Sequence, residues 1–296
     1  MVKKIFLLAV MLVSWVSPTV AEEFKTQEVL PGIFTMTPTS GQGPNTTFIV
    51  TGEGVIVIDT GASPAAGETL KQEIAKVTQE PVSYIINTHY HGENTFGNQA
   101  FNSNIPLITS AAGGKSLLSG SGERDRRWYE KKHPGETITA REPNLTFQSE
   151  LGLKLGKYYL RLIHPPASHT SGDIYIYIAS YRVIITGGLV YAGQIPDLRE
   201  ARVTNWIDGL QKMEDLDAET IIPGHGPVGG KPRVTLMKHY LMELRTFVKD
   251  ELSDGGSLPD IQKKVREKMQ KKFGSWTNQE LIDQNVERAF FEYLDN

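Results

Sequence analysis

The sequence of 296 residues contains no cysteine. Disulfide bonds, thiol catalysis and thiolate metal ligands are therefore excluded. Hydrophobic residues make up 39% of the chain and charged residues 22%, which is the balance of a globular protein rather than of a disordered one. Any metal site in this protein must therefore be built without thiolate ligands.

A large excess of charge of one sign is also absent. The 31 basic residues nearly balance the 34 acidic ones, so the net charge is -3. Loss of Lys3 and Lys4 with the leader described below makes the charge more negative by two. This charge gives no reason to expect nucleic acid or an anionic membrane as a partner. The partner expected of the hydrolase hypothesis below is a small-molecule substrate.

Long hydrophobic runs are confined to the N-terminus. Lys3 and Lys4 precede a continuous apolar run over residues 5–16, and small residues at 19–21 match a signal-peptidase site before Glu22. Residues 1–21 are predicted to be a signal peptide, the mature protein to be periplasmic or secreted, and stable membrane insertion to be absent after cleavage. The alternative is a retained membrane anchor, although the run is short for a full span.

Short apolar segments that alternate with turn residues predict strands, and one-face spacing over residues 64–78 predicts a helix between two of them. Two of the strand segments end in polar clusters, as the carboxyl ends of strands do where α/β sheets bind ligands. The predicted strands are Gly32–Met36, Thr46–Thr51, Gly54–Asp59, Val82–Asn87, Leu151–Leu155, Tyr158–His164, Ile174–Ala179, Val183–Thr186 and Thr220–Ile222.

Two other regions have a different character. Residues 112–143 are rich in Gly, Ser and charge, and we expect a loop with a short helix there, bordering the active site. From residue 231 onward apolar side chains recur at helical spacing. We therefore divide the chain into a main domain, residues 22–230, and a helical C-terminal extension, residues 231–296.

Four of the seven histidines lie in turns directly after predicted strands: His89, His91, His169 and His225. A turn at the end of a strand holds an imidazole rigidly and leaves it open to a cavity. His89 and His91 are two residues apart, so they reach one ion only where the backbone turns. Zinc binds neutral imidazoles and carboxylates and keeps an open position for water in catalytic sites. His-x-His alone is weak evidence for such a site.

The order and context of these motifs add specificity. The run Asn87–Gly97 resembles the T-H-x-H-x-D-H signature of metallo-β-lactamase-fold hydrolases, and the resemblance covers residues 27–230. Within that family the chain looks closest to periplasmic metallohydrolases associated with quinoprotein systems and sulfur oxidation. Further matching segments are Val57–Gly61, His169–Asp173, Thr186–Val190 and Pro223–Pro227.

The resemblance implies an α/β fold, a four-layer αββα sandwich with the site at one edge. It also implies that His89, His91 and His169 together bind a first zinc ion.

For a second metal the chain departs from the family pattern. Glu93 stands in place of aspartate, Asn94 in place of histidine, and Gly188 in place of a bridging aspartate or cysteine, while His225 is kept. Glu93 and His225 remain candidate ligands, but glycine offers no side chain. One zinc ion is therefore expected in preference to a pair.

A mechanism with one metal is sufficient. Zinc held by the three histidines would lower the pKa of bound water toward about 7, and the hydroxide so formed would attack a polarised carbonyl or similar centre. Glu93 and His225 are the predicted catalytic residues, because they would orient that water or transfer its proton.

The neighbouring polar residues are assigned supporting roles. Asp59, Asp173 and Asn94 are expected around the ligands, where they fix imidazole tautomers and loop shape. Asp59 and Asp173 can equally be structural caps and turn residues. Tyr90 lies between two ligand candidates and is a weak candidate for substrate contact, with packing as the alternative.

The leading hypothesis is a secreted zinc-dependent hydrolase of an ester, thioester, lactam or similar substrate. The alternative is a metal-binding accessory protein that has kept the fold and lost turnover, as the departures at Asn94 and Gly188 would permit. The fold alone does not choose between them, because one fold serves many chemistries.

Overall fold

The computed structural model describes residues 23–295. The predicted signal peptide therefore lies outside the described residues. Within them the chain forms two β-sheets with α-helices on their outer faces. The predicted αββα sandwich with a helical C-terminal stretch is confirmed.

The first sheet has seven strands in chain order. Its first four strands pair antiparallel, and the fourth to seventh pair parallel. The strands are β1 (Phe24–Leu30), β2 (Ile33–Pro38), β3 (Thr46–Val50), β4 (Val55–Ile58), β5 (Val82–Ile86), β6 (Leu107–Ser110) and β7 (Leu145–Phe147).

The second sheet has five strands, which lie in reverse chain order across the sheet. Neighbours pair antiparallel except for the last two in the chain, which pair parallel. The strands are β8 (Glu150–Leu155), β9 (Tyr158–Ile163), β10 (Tyr175–Ile178), β11 (Val183–Ile185) and β12 (Thr220–Ile222).

The helices connect the strands or follow the last of them. Four short 3-10 helices add to them, at Phe96–Ala100, Ala179–Tyr181, Gly187–Leu189 and Gln279–Leu281. The α-helices are α1 (Pro64–Val77), α2 (Gly92–Thr95), α3 (Ala111–Leu118), α4 (Gly120–Lys132), α5 (Val203–Glu214), α6 (Pro232–Ser253), α7 (Leu258–Phe273) and α8 (Ile282–Leu294).

Strand β4 illustrates why the sequence forms layers. All four of its residues are apolar and buried, as expected of a strand covered on both faces. Ile56 and Ile58 belong to the core between the two sheets. Val55 and Val57 belong to a second core, in which the outer face of the first sheet packs against Leu70 of α1. Alternation along the strand therefore divides its side chains between two layers.

The outer face of the second sheet is covered by helices α5 to α8. Tyr177, Ile184 and Ile221 of that sheet share one core with residues of all four helices. The largest fully buried side chain in this core is Trp206 of α5. The C-terminal helices therefore pack on the sheet itself and do not have a separate core.

Residues 112–143 were predicted to be a loop with a short helix, and the helical part is longer than predicted. The region holds most of α3 and all of α4. Tyr129 of α4 packs edge-to-face on Phe96, with ring centroids 5.2 Å apart, and both contact Ile138 in a small core. Tertiary packing of this kind stabilises a helix that lacks a strong apolar periodicity.

The ends of parallel strands place the candidate site. Strands β4 and β5 pair parallel in the first sheet, and β11 and β12 pair parallel in the second. The segments that follow these four strands lie at one edge of the sandwich, as expected for ligand sites in α/β folds. Among the described helices, none combines the length and the hydropathy that a membrane span requires.

The contact between α1 and the first sheet gives a test of the outer core. Leu70 is fully buried, whereas Val77 of the same helix is 41% exposed. We predict that Leu70→Ala lowers the free energy of unfolding by about 2–5 kcal/mol, because it leaves a cavity in a packed core. Val77→Ala, the control, should change it by less than about 0.5 kcal/mol. Urea unfolding of both variants measures the difference, and equal values would contradict the packing described.

Candidate metal centre

Three histidines converge at the edge of the sandwich. His89 and His91 follow β5, and His169 lies between β9 and β10. Their side chains each offer one ring nitrogen, and these nitrogens lie within 4.8 Å of one another. The ring centroids are 4.8–5.0 Å apart in all three pairs. The structure thus brings together the three residues that the motifs predict as ligands of one metal ion.

The orientation of His169 is set by a backbone carbonyl. Its Nδ1 donates a hydrogen bond to the carbonyl oxygen of Asp197 at 3.0 Å. The other nitrogen, Nε2, is therefore free of hydrogen in the neutral ring and lies 3.2 Å from Nδ1 of His91. These two atoms face each other in the centre of the cluster, so His169 presents Nε2 and His91 presents Nδ1 to a shared ion.

His89 is held by two polar neighbours. The hydroxyl of Thr88 lies 3.1 Å from its Nδ1, and the side-chain amide of Asn94 lies 3.0 Å from Nδ1 and 3.1 Å from Nε2. Thr88 in turn donates to Asp59 through its amide at 2.8 Å and its hydroxyl at 2.7 Å. Asp59 therefore reaches His89 through Thr88, whereas Asn94 contacts the ring directly.

Asp59 is strained and buried. It has a left-handed backbone, with φ of 58°, a conformation that is uncommon for residues other than glycine. Burial raises the pKa of its carboxyl to about 7, although the hydrogen bonds from Thr88 act in the opposite direction. Backbone strain of this kind concentrates at functional sites, where the surroundings hold it in place.

Asp173 shapes the turn after His169. Its carboxylate accepts hydrogen bonds from the amide of Thr170 at 2.8 Å and from the hydroxyl of Thr170 at 2.7 Å. Burial raises the pKa of Asp173 to about 7, and the bonds from Thr170 lower it. The residue stabilises the loop that carries a ligand, but its side-chain bonds go to Thr170 rather than to an imidazole.

The electrostatics of the cluster favour neutral rings. His89 and His169 are 1% exposed and His91 is 7% exposed. Burial lowers the pKa of all three, for His169 to about 3. Neutral imidazole is the form that binds a metal ion, so the donor set fits zinc or a similar divalent cation without any proton being displaced from the rings.

Gly188 lies against two of these rings. A Cβ added there would be 2.7 Å from Cδ2 of His169 and 2.9 Å from Cε1 of His89. A side chain at position 188 would therefore point toward the histidine cluster. The backbone comes so close to the two rings that any larger residue would displace them.

Glu93 and His225 meet beside the triad. Nδ1 of His225 donates to the carbonyl oxygen of Gly43 at 3.1 Å, and its Nε2 lies 3.2 Å from Oε1 of Glu93. That Nε2 is buried and makes no hydrogen bond of good geometry, so the contact becomes an ion pair only when the ring carries a second proton. The ring of Tyr191 stacks on His225 with centroids 4.1 Å apart.

The protonation of Glu93 follows from this contact. Its side chain is 36% exposed to the cleft. Burial raises its pKa, but the neighbouring imidazoles of His225, His91 and His169 together outweigh burial and hold the pKa at about 2. The carboxyl is therefore ionised at neutral pH and faces a ring nitrogen whose lone pair it would repel. A proton or a cation shared by the two atoms relieves that repulsion.

A cleft of about 520 Å³ opens over the cluster. His91, Glu93 and His225 line its floor, and the walls carry aromatic, apolar and charged side chains. Helix α4 forms one wall, and the turn before α8 forms part of another. The wall residues include Phe96, Arg124, Asp125, Trp128, Tyr129, Tyr191, Asp197, Arg199, Asn278 and Leu281.

Several residues at the site have no sequence motif to reveal them. Glu200 lies 3.9 Å from Nε2 of His91 and pairs with Arg124 of α4. Asp125 accepts a hydrogen bond from the amide of Gly92 at 3.2 Å. Arg124 and Asp125 are adjacent charges in a Gly/Ser-rich segment, a pattern that indicates only a solvated surface. The sequence pattern therefore gave no reason to assign them to the site.

Tyr90 is 3% exposed. Its ring packs edge-to-face on His91 at a centroid distance of 4.8 Å. This burial favours the alternative role for Tyr90, which is packing against His91, over contact with a substrate.

Comparison with known proteins agrees with the geometry. The chain is similar to a linear primary-alkylsulfatase from Pseudomonas sp. (strain ATCC 19151), with 24% identity over 67% of this chain and 44% of the relative. It is similar to a metallo-beta-lactamase type 2 from Bacillus sp. (strain 170), with 25% identity over 61% of this chain and 66% of the relative. The chain thus spans only 44% to 66% of the length of these two curated relatives.

Solved structures show the same fold. A metallo-beta-lactamase from Pontibacter korlensis superposes with a TM-score of 0.61 at 20% identity, over 74% of this chain and 99% of that one. The sec-alkylsulfatase Pisa1 from Pseudomonas sp. superposes with a TM-score of 0.73 at 16% identity, over 92% of this chain and 50% of that one. The family model for the metallo-beta-lactamase superfamily matches residues 39–225. This chain belongs to the metallo-beta-lactamase superfamily.

Proposed function

We propose that this protein is a periplasmic or secreted, zinc-dependent hydrolase of a small ester, thioester, lactam or sulfate ester. The observation that carries the proposal is the cluster of three buried histidines beside an open cleft that reaches it at His91. The activities named for the relatives, alkylsulfatase and beta-lactamase, are hydrolytic and guide the range of substrates. The location rests on the pattern of residues 1–21 alone.

Zinc is the metal that best suits these ligands. Catalytic zinc sites commonly have three protein ligands and a fourth position for water or substrate. His89, His91 and His169 supply the three nitrogens, and the cleft reaches the cluster at His91. When bound, zinc supplies a Lewis acid that polarises a substrate oxygen and lowers the pKa of water toward about 7.

One zinc ion is the proposed content of the site. Gly188 provides no ligand between the two halves of a binuclear site, and its backbone leaves no room for one. Asn94 uses its amide on His89. Glu93 and His225 are then the two candidate ligands that remain for a second ion, and two ligands are too few to bind it firmly.

Glu93 and His225 are proposed to handle the proton of the reaction. Their side chains are 3.2 Å apart beside the triad, and both line the cleft. Glu93 is ionised and partly exposed, so it can orient water at the cleft floor and stabilise a proton that passes to the neighbouring ring. His225 is fixed by Gly43 and stacked on Tyr191, so it can hold that proton at Nε2 and return it to the leaving group.

The walls of the cleft favour a substrate with an apolar part. Trp128 is 62% exposed although it is a large aromatic residue, and Phe96, Tyr129 and Leu281 line the same cleft. Arg124 and Arg199 are each paired with a carboxylate, on Glu200 and Asp197 respectively. The apolar wall rather than an unpaired charge is therefore the surface available to hold the substrate.

The accessory-protein alternative depended on the altered residues Asn94 and Gly188. In this fold both have a structural part beside the triad, Asn94 as a direct contact of His89 and Gly188 as a close approach of the backbone. A measurement of substrate turnover distinguishes the two hypotheses, because only the hydrolase turns over a substrate.

Metal content is the first test. We predict about one zinc per chain by elemental mass spectrometry of the purified protein, and loss of it in a His89→Ala/His169→Ala double variant. His239→Ala, on the exposed side of α6, should retain the metal and is the control. No bound zinc after zinc is supplied would refute the proposal, and two zinc ions would show that Glu93 and His225 complete a second site.

Gly188 gives a test of crowding at the metal. Gly188→Ala should weaken zinc binding by about 10-fold or more, because the added methyl group displaces two ligand rings. Gly209→Ala in α5 is the matched control, since its added Cβ would meet nothing closer than 3.5 Å. Competition with a chromophoric chelator measures both affinities. Unchanged affinity in Gly188→Ala would contradict the close approach.

The proton-handling role predicts a loss of rate without loss of metal. Glu93→Gln should lower kcat by about 10²–10⁴-fold, the usual contribution of a general acid or base, with zinc content unchanged. Glu123→Gln on exposed α4 is the control. Chromogenic esters, lactams and sulfate esters are assayed in parallel. If the wild type turns over none of them, the accessory role is favoured, and full activity in Glu93→Gln would exclude the carboxylate.

A further inference from the structure

The segment that joins the second sheet to α5 contacts two of the predicted ligands. We define the 193–202 loop as the ten residues before α5, which contain neither α-helix nor named strand. The carbonyl oxygen of Asp197 accepts the Nδ1 hydrogen of His169 at 3.0 Å. Glu200 lies 3.9 Å from Nε2 of His91. The position of this loop therefore bears on the orientation of both rings.

The middle of the loop is held by one buried residue of α8. Asn285 is 0% exposed, and its amide donates to the carbonyl oxygen of Pro196 at 2.9 Å. Its carbonyl oxygen accepts from the amide of Leu198 at 3.3 Å. These bonds clamp the backbone on both sides of Asp197. The neighbouring Gln284 donates to Oδ1 of Asp197 at 2.9 Å.

The two ends of the loop are tied to the same C-terminal segment. Before α8, Thr277 exchanges backbone hydrogen bonds with Gly193 and Ile195, at 3.1 and 3.0 Å. On α8, Nε of Arg288 donates to the carbonyl oxygen of Ala201 at 2.6 Å. Glu292 accepts from the amides of Val203 and Thr204, at 2.7 and 2.9 Å, where α5 begins.

These contacts follow the loop from end to end and add to its internal bonds, such as that from the amide of Ala201 to the carbonyl oxygen of Leu198 at 3.0 Å. The shape of the loop therefore depends on the C-terminal segment as well as on its own turn. A backbone carbonyl at Nδ1 selects the tautomer of a ligand histidine, and such partners commonly contribute about 10- to 100-fold to metal affinity. A small shift of Asp197 would therefore change the orientation of His169 and lower the affinity for the metal.

We infer that α8, through Asn285, Gln284 and Arg288, positions the 193–202 loop and thereby sets the zinc affinity of the three-histidine site. The inference rests on the proposed zinc binding by His89, His91 and His169. It makes Asn285 a positioning residue that acts on His169 through Asp197. The helical C-terminal stretch is then a part of the metal centre as well as a cover for the sheet.

The test measures zinc affinity of the full chain by competition with a chromophoric chelator, together with thermal unfolding of the metal-free protein. The variants are Asn285→Ala, Gln284→Ala and Arg288→Ala. Arg266→Ala is the matched control, because Arg266 of α7 pairs with Asp283 of α8 and has no contact with the loop among the hydrogen bonds of the described residues. It weakens the anchoring of α8 without removing a loop contact.

We expect zinc to bind about 10-fold more weakly or worse in Asn285→Ala and Arg288→Ala, and Arg288→Lys to restore part of the affinity. Arg266→Ala should keep wild-type affinity while its unfolding temperature falls. If Asn285→Ala does not fold, the half-buried Arg288 and Gln284 decide the question.

Wild-type affinity in the folded loop variants, with only their unfolding temperature lowered, would overturn the inference and leave α8 as packing. Equal weakening in Arg266→Ala would overturn it too, because general destabilisation would then be the cause. A wild-type chain that binds no zinc would overturn the proposed function and this inference together, which distinguishes that failure from the others.

Discussion

The packing of the two sheets on each other is the contact on which the metal centre depends. His89 and His91 follow a strand of the first sheet, whereas His169 and His225 follow strands of the second. A layer of isoleucine, leucine and valine side chains from both sheets fills the space between them. Burial of this layer provides the driving force, and its close packing fixes the distance between the two halves of the site.

Polar contacts then set the orientation of each ring. His89 is reached by Asn94 and by Asp59 through Thr88, and His169 is reached by the carbonyl of Asp197. These groups are buried, and an unpaired buried polar group is costly, so the network permits few arrangements. The left-handed backbone of Asp59 is strain that this network holds in place.

Helices of the outer layer contribute to the cleft as well as to stability. Trp206 of α5 is fully buried, donates to the carbonyl of Leu189 at 3.0 Å and lies 5.3 Å from the ring of His169. On the other side, α4 brings Arg124 to Glu200 and Trp128 to the wall. Residues far from the histidines in sequence therefore decide the shape and the polarity of the space in front of them.

The sequence by itself predicted most of the strands, and the resemblance of its motifs to a known family implied the layered fold and the three-histidine cluster. Alternating apolar residues and turn residues are local patterns, and His89 and His91 follow a strand that pairs parallel with its neighbours. His169 follows β9, which pairs antiparallel, and only its motif associated it with the other two. The order of the motifs was sufficient to associate His169 with His89 and His91 across about eighty residues.

Only the tertiary structure decided which nitrogen each ring presents, because that depends on the group at the opposite nitrogen. For His169 this group is a backbone carbonyl, which every residue possesses and no spacing reveals. The role of Asn285 was also not predictable from the sequence, in which it is one polar residue of a helix. Only the structure shows its contacts with Pro196 and Leu198. The extent of helix α4 was underestimated because contacts with Phe96 and Ile138, rather than its own periodicity, stabilise it. Local patterns report on neighbours along the chain, whereas these contacts depend on distances that close only when the layers pack.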